Sequence, residues 1–365
     1  MKVIFSGGST GGHLMSGLSL AEEVKDACPK SEITFFATSK PFEKECIQEK
    51  GFLFKKLPFT IGNRRSLFGK MRFYVGMVLD TVYTGFVICK TRPDIVVGLG
   101  GYSSVPSIVG AILLATPFVI IEQNLVPGKV NRLFSGKAKE VFCHFQKSVR
   151  WFKREKTVTV TGNPVRKDIL VAQKEVAATA LGLSLDKETI LIIGGSQGAS
   201  AINKVMIGCL PLFDKRSDKL QIIHCTGDND FDEISTAYGK YKIDSYVCPF
   251  LSSMQHAYSM ADVVVSRAGA GTITEITAVG LPSILIPYPF AADNHQYYNA
   301  LELSTHGAAY LVEEKDFNER RTEELIIGLF EDKSKRIDMC SKSLELGKPD
   351  AAGKILQRIN QLLVG

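Results

Sequence analysis

The chain has 365 residues, enough for two compact domains at about 100–200 residues each. Apolar residues make up 45% and charged residues 22%, with 21 Phe, 11 Tyr and 1 Trp, which excludes a disordered chain or a low-complexity filament. Lys and Arg number 44 against 38 Asp and Glu, a net charge of +6; this is mildly basic and short of a dedicated nucleic-acid binder, so no nucleic acid is expected as a partner.

Met1-Lys2-Val3-Ile4-Phe5 runs into Gly7 and Gly8 without the apolar stretch and small-residue cleavage site of a signal peptide. The expected location is cytosolic. Short apolar runs then alternate with helix-length segments: Val3–Phe5, Ile33–Phe36, Ile95–Val97, Phe118–Ile121, Ile190–Ile193, Gln221–His224, Val263–Val265 and Ser283–Ile286. That rhythm predicts parallel sheets covered by helices on both faces. Two of the strands open into similar turns, Gly7-Gly8-Ser9 and Gly194-Gly195-Ser196, so the chain reads as α/β, with two Rossmann-like domains in tandem.

Between Lys50 and Leu79 stand seven Lys or Arg (50, 55, 56, 64, 65, 70, 72) and no Asp or Glu, interleaved with Leu67, Phe68, Met71, Phe73, Tyr74 and Val75. Cations beside an apolar face suit an anionic membrane surface, at about 1 kcal/mol per nearby cation; a solvated loop followed by a core helix accounts for the same letters. Ile95 to Ile121 carries no charge and is long enough to span a bilayer. Gly98, Gly100, Gly101, Pro106 and Pro117 break it, however, and a buried strand, a helix from Ser107 to Leu114 and a second strand explain it better. Thr161-Gly162-Asn163-Pro164 closes a β-rich stretch ahead of a polar helix, which places the domain boundary there: residues 1–163, then 164–350. Ile355, Ile359, Leu362 and Leu363 give the segment 351–365 a helical spacing suited to packing back on the first domain.

The eight cysteines are scattered, without a Cys-x-x-Cys pair or a Cys/His cluster at metal spacing, so reduced, mostly core thiols are expected. Asp228-Asn229-Asp230 imitates a metal-binding Asp-x-Asp but reads better as a turn, and no metal and no cofactor are expected. His144, His224, His256 and His306 lack a motif partner and read as structural or surface residues.

Three Gly-rich turns follow apolar strands: residues 7 to 12, Gly98-Leu99-Gly100-Gly101, and Gly194-Gly195-Ser196-Gln197-Gly198. Glycines let a ligand approach the backbone, and the N-H groups of a following helix attract an anion such as a diphosphate; one such turn alone would equally be a tight turn without a ligand. Ser266-Arg267-Ala268-Gly269-Ala270-Gly271-Thr272-Ile273-Thr274-Glu275 is the richest stretch. Its small residues leave room at a helix start, and Glu275 lies about one turn in, where a carboxylate can accept charge-assisted hydrogen bonds from a ribose diol at about 1.5–3 kcal/mol each. Merely complementing the helix dipole would be worth about 0.3–1 kcal/mol. Asp293-Asn294-His295-Gln296-Tyr297-Tyr298-Asn299 offers the donors and acceptors that sugar hydroxyls need, or a plain polar loop.

Taken in order, the Gly-rich loop ending in His13, Gly100-Gly101-Tyr102, Glu122-Gln123-Asn124, Thr161 to Arg166, Gly194 to Gly198 and Arg267 to Glu275 resemble the MurG family, the peptidoglycan N-acetylglucosaminyltransferases of GT-B fold with a cleft between two Rossmann-like domains. The resemblance covers nearly the whole chain. It implies inverting transfer of GlcNAc from UDP-GlcNAc to the C4 hydroxyl of MurNAc in undecaprenyl-pyrophosphoryl-MurNAc-pentapeptide, at the cytoplasmic face of the membrane. By position, Ser196 and Arg166 would hold the diphosphate, Leu251 would meet the uracil, and Ala270, Gly271, Thr272, Ile273, Thr274 and Glu275 would cradle the nucleotide. Gln296 and Asn124 would contact GlcNAc, while Thr10, Gly11 and Gly12 would close the site from the first domain. His13 is the candidate catalytic base. The sequence departs from the family pattern at Ser9, which lengthens the first loop, at Met15-Ser16, and at His295, which stands where a Gln-Gln pair usually begins. The rival readings are a GT-B transferase with another lipid acceptor such as diacylglycerol, a UDP-GlcNAc 2-epimerase, and a non-catalytic membrane-bound scaffold.

Overall fold

The computed structural model describes residues 1–8, 11–38, 40–59, 66–195 and 198–364. The chain forms two units, Met1–Val165 with Pro349–Gly365, and Arg166–Lys348; the division lies just past the boundary read from the sequence at Asn163.

In the first unit β1 (Lys2–Ser6), β2 (Glu32–Ala37), β3 (Leu53–Lys56), β4 (Ile95–Gly98), β5 (Phe118–Glu122), β6 (Glu140–Cys143) and β7 (Val158–Val160) form a 7-stranded sheet in the order β3-β2-β1-β4-β5-β6-β7. Every pairing is parallel. Alternation along β1 sends Val3 and Phe5 into one core and Ile4 into the core on the opposite face, as a sheet covered on both sides requires. The Phe5 and Phe35 rings stack with centroids 4.8 Å apart.

The uncharged stretch after residue 95 is a β-α-β piece. Fully buried β4 leads through a 3-10 turn at Tyr102–Ser104 into helix Val105–Leu113 and then β5. The helix begins earlier than Ser107, because Pro106 is well placed in a first turn. Among the described residues, helix Leu67–Thr91 is the one long and apolar enough to cross a membrane by length and composition. One side of it buries Phe73, Asp80, Thr84, Val87 and Ile88, with Asp80 accepting a 3.1 Å hydrogen bond from the Phe59 N-H. Phe68, Met71, Val75, Val78, Val82 and Phe86 are exposed along the other.

Helix Ala351–Val364 returns to the first unit, where Ala352, Ile355, Leu356 and Ile359 enter the core that contains Val3, Leu14 and Leu18. Arg358 anchors it, donating from Nε to Glu140 Oε1 at 3.0 Å and from Nη2 to Oε2 at 3.1 Å.

The second unit holds β8 (Glu188–Ile193), β9 (Leu220–Cys225), β10 (Asp244–Cys248), β11 (Val263–Ser266), β12 (Ser283–Leu285) and β13 (Ala309–Leu311), a 6-stranded parallel sheet in the order β10-β9-β8-β11-β12-β13. Its main core joins Ile190, Ile192 and Val265 to Met206, Leu210 and Phe213 of helix Ser200–Asp214 and to Ile326 and Leu329 of helix Glu319–Glu331.

Candidate active site

Strand order reverses between β1 and β4 in the first sheet and between β8 and β11 in the second. Open α/β sheets bind ligands at the carboxyl ends of strands beside such reversals. The Gly-rich turns and the 266–275 stretch follow these four strands.

In the first unit, β1 runs into Gly7 and Gly8, with φ of 120° and 103°. A Cβ on Gly7 would come within 2.6 Å of the Gly100 carbonyl oxygen, so the turns after β1 and β4 meet backbone to backbone. Gly11, Gly12 and His13 open helix Gly11–Ala27, and all three are half-buried. Thr10 lies outside the described residues.

Asn124 stands on a loop organised by Glu122, the last residue of β5. Glu122 Oε1 accepts from the Asn124 N-H at 2.9 Å; Oε2 accepts from the Gly128 N-H at 2.9 Å and from Asn131 Nδ2 at 2.8 Å. Burial lifts this carboxyl above the usual carboxylate range, against the pull of those donors. Ser148 Oγ donates to the Asn124 and Leu125 carbonyls at 3.1 and 3.0 Å, and Gln123 Nε2 donates to the Leu99 carbonyl at 3.3 Å, so the loop is also tied to the turn after β4.

In the second unit, Gly195 and Gly198 take φ of 89° and 75°, and a Cβ on Gly198 would lie 2.2 Å from the Thr226 carbonyl oxygen. Ser196 lies outside the described residues. Helix Ala270–Val279 follows β11 and contains Ala270, Gly271, Thr272, Ile273, Thr274 and Glu275. Thr274 is turned inward, its Oγ1 donating to the Ala270 carbonyl at 2.8 Å. Leu251 is 9% exposed beside the exposed Phe250.

The structure brings Arg166 and Glu275 together. Arg166 donates from Nε and Nη2 to Glu275 Oε1 at 3.1 and 3.0 Å, and Tyr258 donates from its hydroxyl to Oε2 at 2.9 Å. Both side chains of the ion pair are 15% exposed. Burial raises Glu275 above the ordinary carboxylate value, opposed first by Arg166 and then by Tyr258. Burial, followed by the Glu275 charge, also raises the Tyr258 phenol. The carboxylate read as a ribose acceptor is therefore already the acceptor for a cation and a phenol of its own chain.

Gln296, in helix His295–Thr305, accepts from the Tyr288 N-H at 2.9 Å through Oε1, which leaves its amide nitrogen as the donor end. Asp293 and Asn294, just before that helix, both take left-handed φ values, 51° and 52°. Non-glycine residues there store strain of the kind that gathers at binding loops. Asn299 Nδ2 donates to the Ala268 carbonyl at 3.3 Å, and Arg267 Nη1 donates to the Ile286 and Pro287 carbonyls at 3.2 and 3.3 Å. These bonds tie the helix to the turn after β11 and that turn to the end of β12. Tyr258, Asn131 and the positioning roles of Glu122 and Asn299 escaped the sequence reading. Tyr258 sits in no motif, whereas Glu122, a lone acid ending an apolar strand, carried a usable signal.

Asp230, of the Asp-Asn-Asp run, accepts from Asn203 Nδ2 at 2.7 Å, and no three His, Cys, Asp or Glu converge among the described residues. His224 is enclosed by Tyr238 Oη at 3.1 Å and Asn203 Oδ1 at 3.0 Å, and burial holds it down to about 3. His144 Nδ1 accepts from the Asn163 N-H at 3.1 Å.

Residues 3–143 match the glycosyltransferase family 28 N-terminal domain and residues 189–355 match its C-terminal domain. The UDP-N-acetylglucosamine--N-acetylmuramyl-(pentapeptide) pyrophosphoryl-undecaprenol N-acetylglucosamine transferase of Thermodesulfovibrio yellowstonii is 38% identical over 100% of this chain and 99% of its own. The crystal structure of Acinetobacter baumannii MurG superposes with a TM-score of 0.75 at 26% identity, covering 99% of both chains. UDP-GlcNAc 2-epimerase from Neisseria meningitidis, bound to UDP-GlcNAc, gives 0.73 at 16% identity over 99% of this chain and 100% of its own, a likeness of fold alone. Two parallel α/β units with ligand-type turns at their strand-order reversals, matched along the chain by these domains, define a glycosyltransferase of GT-B fold. The chain belongs to glycosyltransferase family 28 and, within it, to the family of UDP-N-acetylglucosamine--N-acetylmuramyl-(pentapeptide) pyrophosphoryl-undecaprenol N-acetylglucosamine transferases.

Proposed function

We propose that the protein transfers GlcNAc from UDP-GlcNAc to the C4 hydroxyl of MurNAc in undecaprenyl-pyrophosphoryl-MurNAc-pentapeptide, forming a β1,4 linkage with inversion, as a step of peptidoglycan synthesis. The observation that carries this reading is full-length similarity to transferases whose names state that donor and acceptor.

The second unit takes the donor. Its Gly194–Gly198 turn, with Ser196, and Arg166 receive the diphosphate; Leu251 meets the uracil; Ala270 to Thr274 line the nucleotide and Glu275 accepts from the ribose. Gln296 and Asn124 hold the GlcNAc hydroxyls and amide. The first unit takes the acceptor's diphosphate at Thr10, Gly11 and Gly12, where helix N-H groups favour an anion. Inversion needs a single in-line displacement, with a base for the incoming hydroxyl and positive or dipolar groups for the departing UDP. His13 is the base, and Arg166 with the Gly-rich turns stabilises the leaving diphosphate.

The lipid-linked acceptor accounts for helix Leu67–Thr91. Its exposed Phe68, Met71, Val75, Val78, Val82 and Phe86, together with the cations of the 50–79 sequence, of which Arg64 and Arg65 lie outside the described residues, would dock on anionic lipid at the cytoplasmic face of the membrane. Release of UDP from UDP-GlcNAc with and without a lipid I analogue tests the reading. Release that requires the acceptor is expected; release without acceptor, accompanied by the 2-epimer, would make the protein an epimerase instead.

A further inference from the structure

Beside Tyr258 lie two thiols that the transfer reaction leaves unused. Cys225 and Cys248 are the last residues of β9 and β10 and stand opposite each other in the parallel register. Both are buried, with Sγ atoms 3.9 Å apart. Neighbouring strands are about 4.8 Å apart, inside the roughly 4.4–6.8 Å Cα separation that a disulfide spans, so the bond can form once a small shift of the two strand ends draws the sulfurs from 3.9 Å to about 2.05 Å. The shared S-H hydrogen bond pushes Cys225 above the ordinary thiol range and holds Cys248 below it, which makes Cys248 the more readily ionised of the two.

The pair's neighbours are parts of the donor site. On β9, Leu220 and Ile222 face the main core, so alternation turns Cys225 to the opposite face, where it lies within electrostatic reach of Tyr258, the donor to Glu275. Cys248 is followed by Pro249, Phe250 and Leu251. Its carbonyl accepts from the Thr226 N-H at 3.0 Å and from Thr226 Oγ1 at 3.3 Å, and the Thr226 carbonyl lies so close to Gly198 that even a methyl group has no room between them. A displacement of the ends of β9 and β10 therefore reaches the uracil residue, the diphosphate turn and the Tyr258–Glu275 bond together.

We propose that the Cys225–Cys248 dithiol is an oxidation site whose disulfide form weakens binding of the nucleotide sugar, an inference that rests on the donor site assigned above. With a peroxide as oxidant, the Cys248 thiolate attacks one oxygen, the O–O bond breaks, and a sulfenic acid forms while hydroxide leaves and takes up a proton. Cys225 sulfur then attacks the sulfenic sulfur. The S–S bond forms, the S–O bond breaks, and water departs with the Cys225 proton. The two thiols give up two electrons and two protons, and hydrogen peroxide becomes two waters.

The test treats the full chain, with Cys248→Ser and Cys225→Ala as two separate variants, with hydrogen peroxide. Peptide mapping by mass spectrometry reads the cross-link, and calorimetry reads UDP-GlcNAc affinity before oxidation, after it and after dithiothreitol. Oxidised wild type should carry a Cys225–Cys248 cross-link and bind donor about tenfold or more weakly, with recovery on reduction. Whichever variant folds should bind donor like reduced wild type and ignore peroxide. Oxidation of the exposed Cys89 with no Cys225–Cys248 cross-link would overturn the site, and a cross-linked protein with undiminished donor affinity would overturn the coupling. Failure of the reduced wild type to bind UDP-GlcNAc would refute the donor assignment and the coupling with it, while the cross-link would still be read by mass.

Discussion

Replacing Glu275 with Gln removes the charge at the centre of the second unit's site and keeps the side chain's shape. In the folded chain this carboxylate serves two masters, accepting from Arg166 at 3.1 and 3.0 Å and from Tyr258 at 2.9 Å. Removing one member of a buried ion pair costs about 3–5 kcal/mol, because the other charge stays behind unpaired. With 15% of each side chain still in solvent, the lower end applies, about 3 kcal/mol, which for a unit of this size lowers Tm by about 6–12 °C. Donor binding should fall separately, by the roughly 1.5–3 kcal/mol of a charged hydrogen bond to the ribose, or about 10- to 150-fold in Kd. Thermal unfolding and calorimetry with UDP-GlcNAc, both below the variant's Tm, read the two effects apart. A folded Glu275→Gln protein with unchanged donor Kd would remove Glu275 from the ribose site and leave it the narrower role of holding Arg166.

His13→Ala should lower kcat by about a hundredfold or more, the scale of general-base assistance, with little change in donor affinity and with the acid limb lost from the residual pH profile. Survival of that limb would assign the base elsewhere. Because burial raises Glu275 above the ordinary 4.5, donor affinity should begin to weaken at a pH above 4.5 as pH falls. Donor affinity measured across that window checks the sign. Replacing Arg64, Arg65, Lys70 and Arg72 with Gln should reduce binding to anionic vesicles in low salt while sparing activity on a water-soluble acceptor, and equal sedimentation with vesicles would refute the membrane reading. Ile355→Ala should destabilise the first unit by about 2–5 kcal/mol through the cavity it leaves, since Ile355 is 0% exposed; a denaturant midpoint within error of wild type would contradict the packing described for the C-terminal helix.

The strands read from the sequence are β1, β2, β4, β5, β8, β9, β11 and β12, all eight flanked by strands on both sides and nearly all apolar. Those not read as strands were mostly edges. Leu53–Lys56 ends in two lysines, Asp244–Cys248 is half polar, and Ala309–Leu311 has only 3 residues; strands with one side open to solvent lack the continuous apolar run that marks a central parallel strand. The turns after β1, β4, β8 and β11 were legible because close backbone approach leaves few residues but glycine, as the 2.6 Å and 2.2 Å contacts that a side chain would make at Gly7 and Gly198 show. Tyr258 was not legible. A phenol becomes the partner of a carboxylate 17 positions away only when helix Met254–Met260 packs beside helix Ala270–Val279, and no local pattern announces that. The basic apolar stretch from Lys50 to Leu79 contained most of a helix with two unlike sides, but which side was buried depended on its partner, helix Val105–Leu113.

The central claim is transfer of one sugar to one hydroxyl. Incubating the protein with UDP-GlcNAc and a lipid I analogue, then determining the product's mass and the anomeric coupling of its new sugar by NMR, tests this most directly. The expected product is the acceptor enlarged by one N-acetylhexosamine, joined in β configuration to C4 of MurNAc, with one UDP released per acceptor consumed. An unmodified acceptor beside free UDP and a 2-epimerised sugar, or an α-linked product, would contradict it.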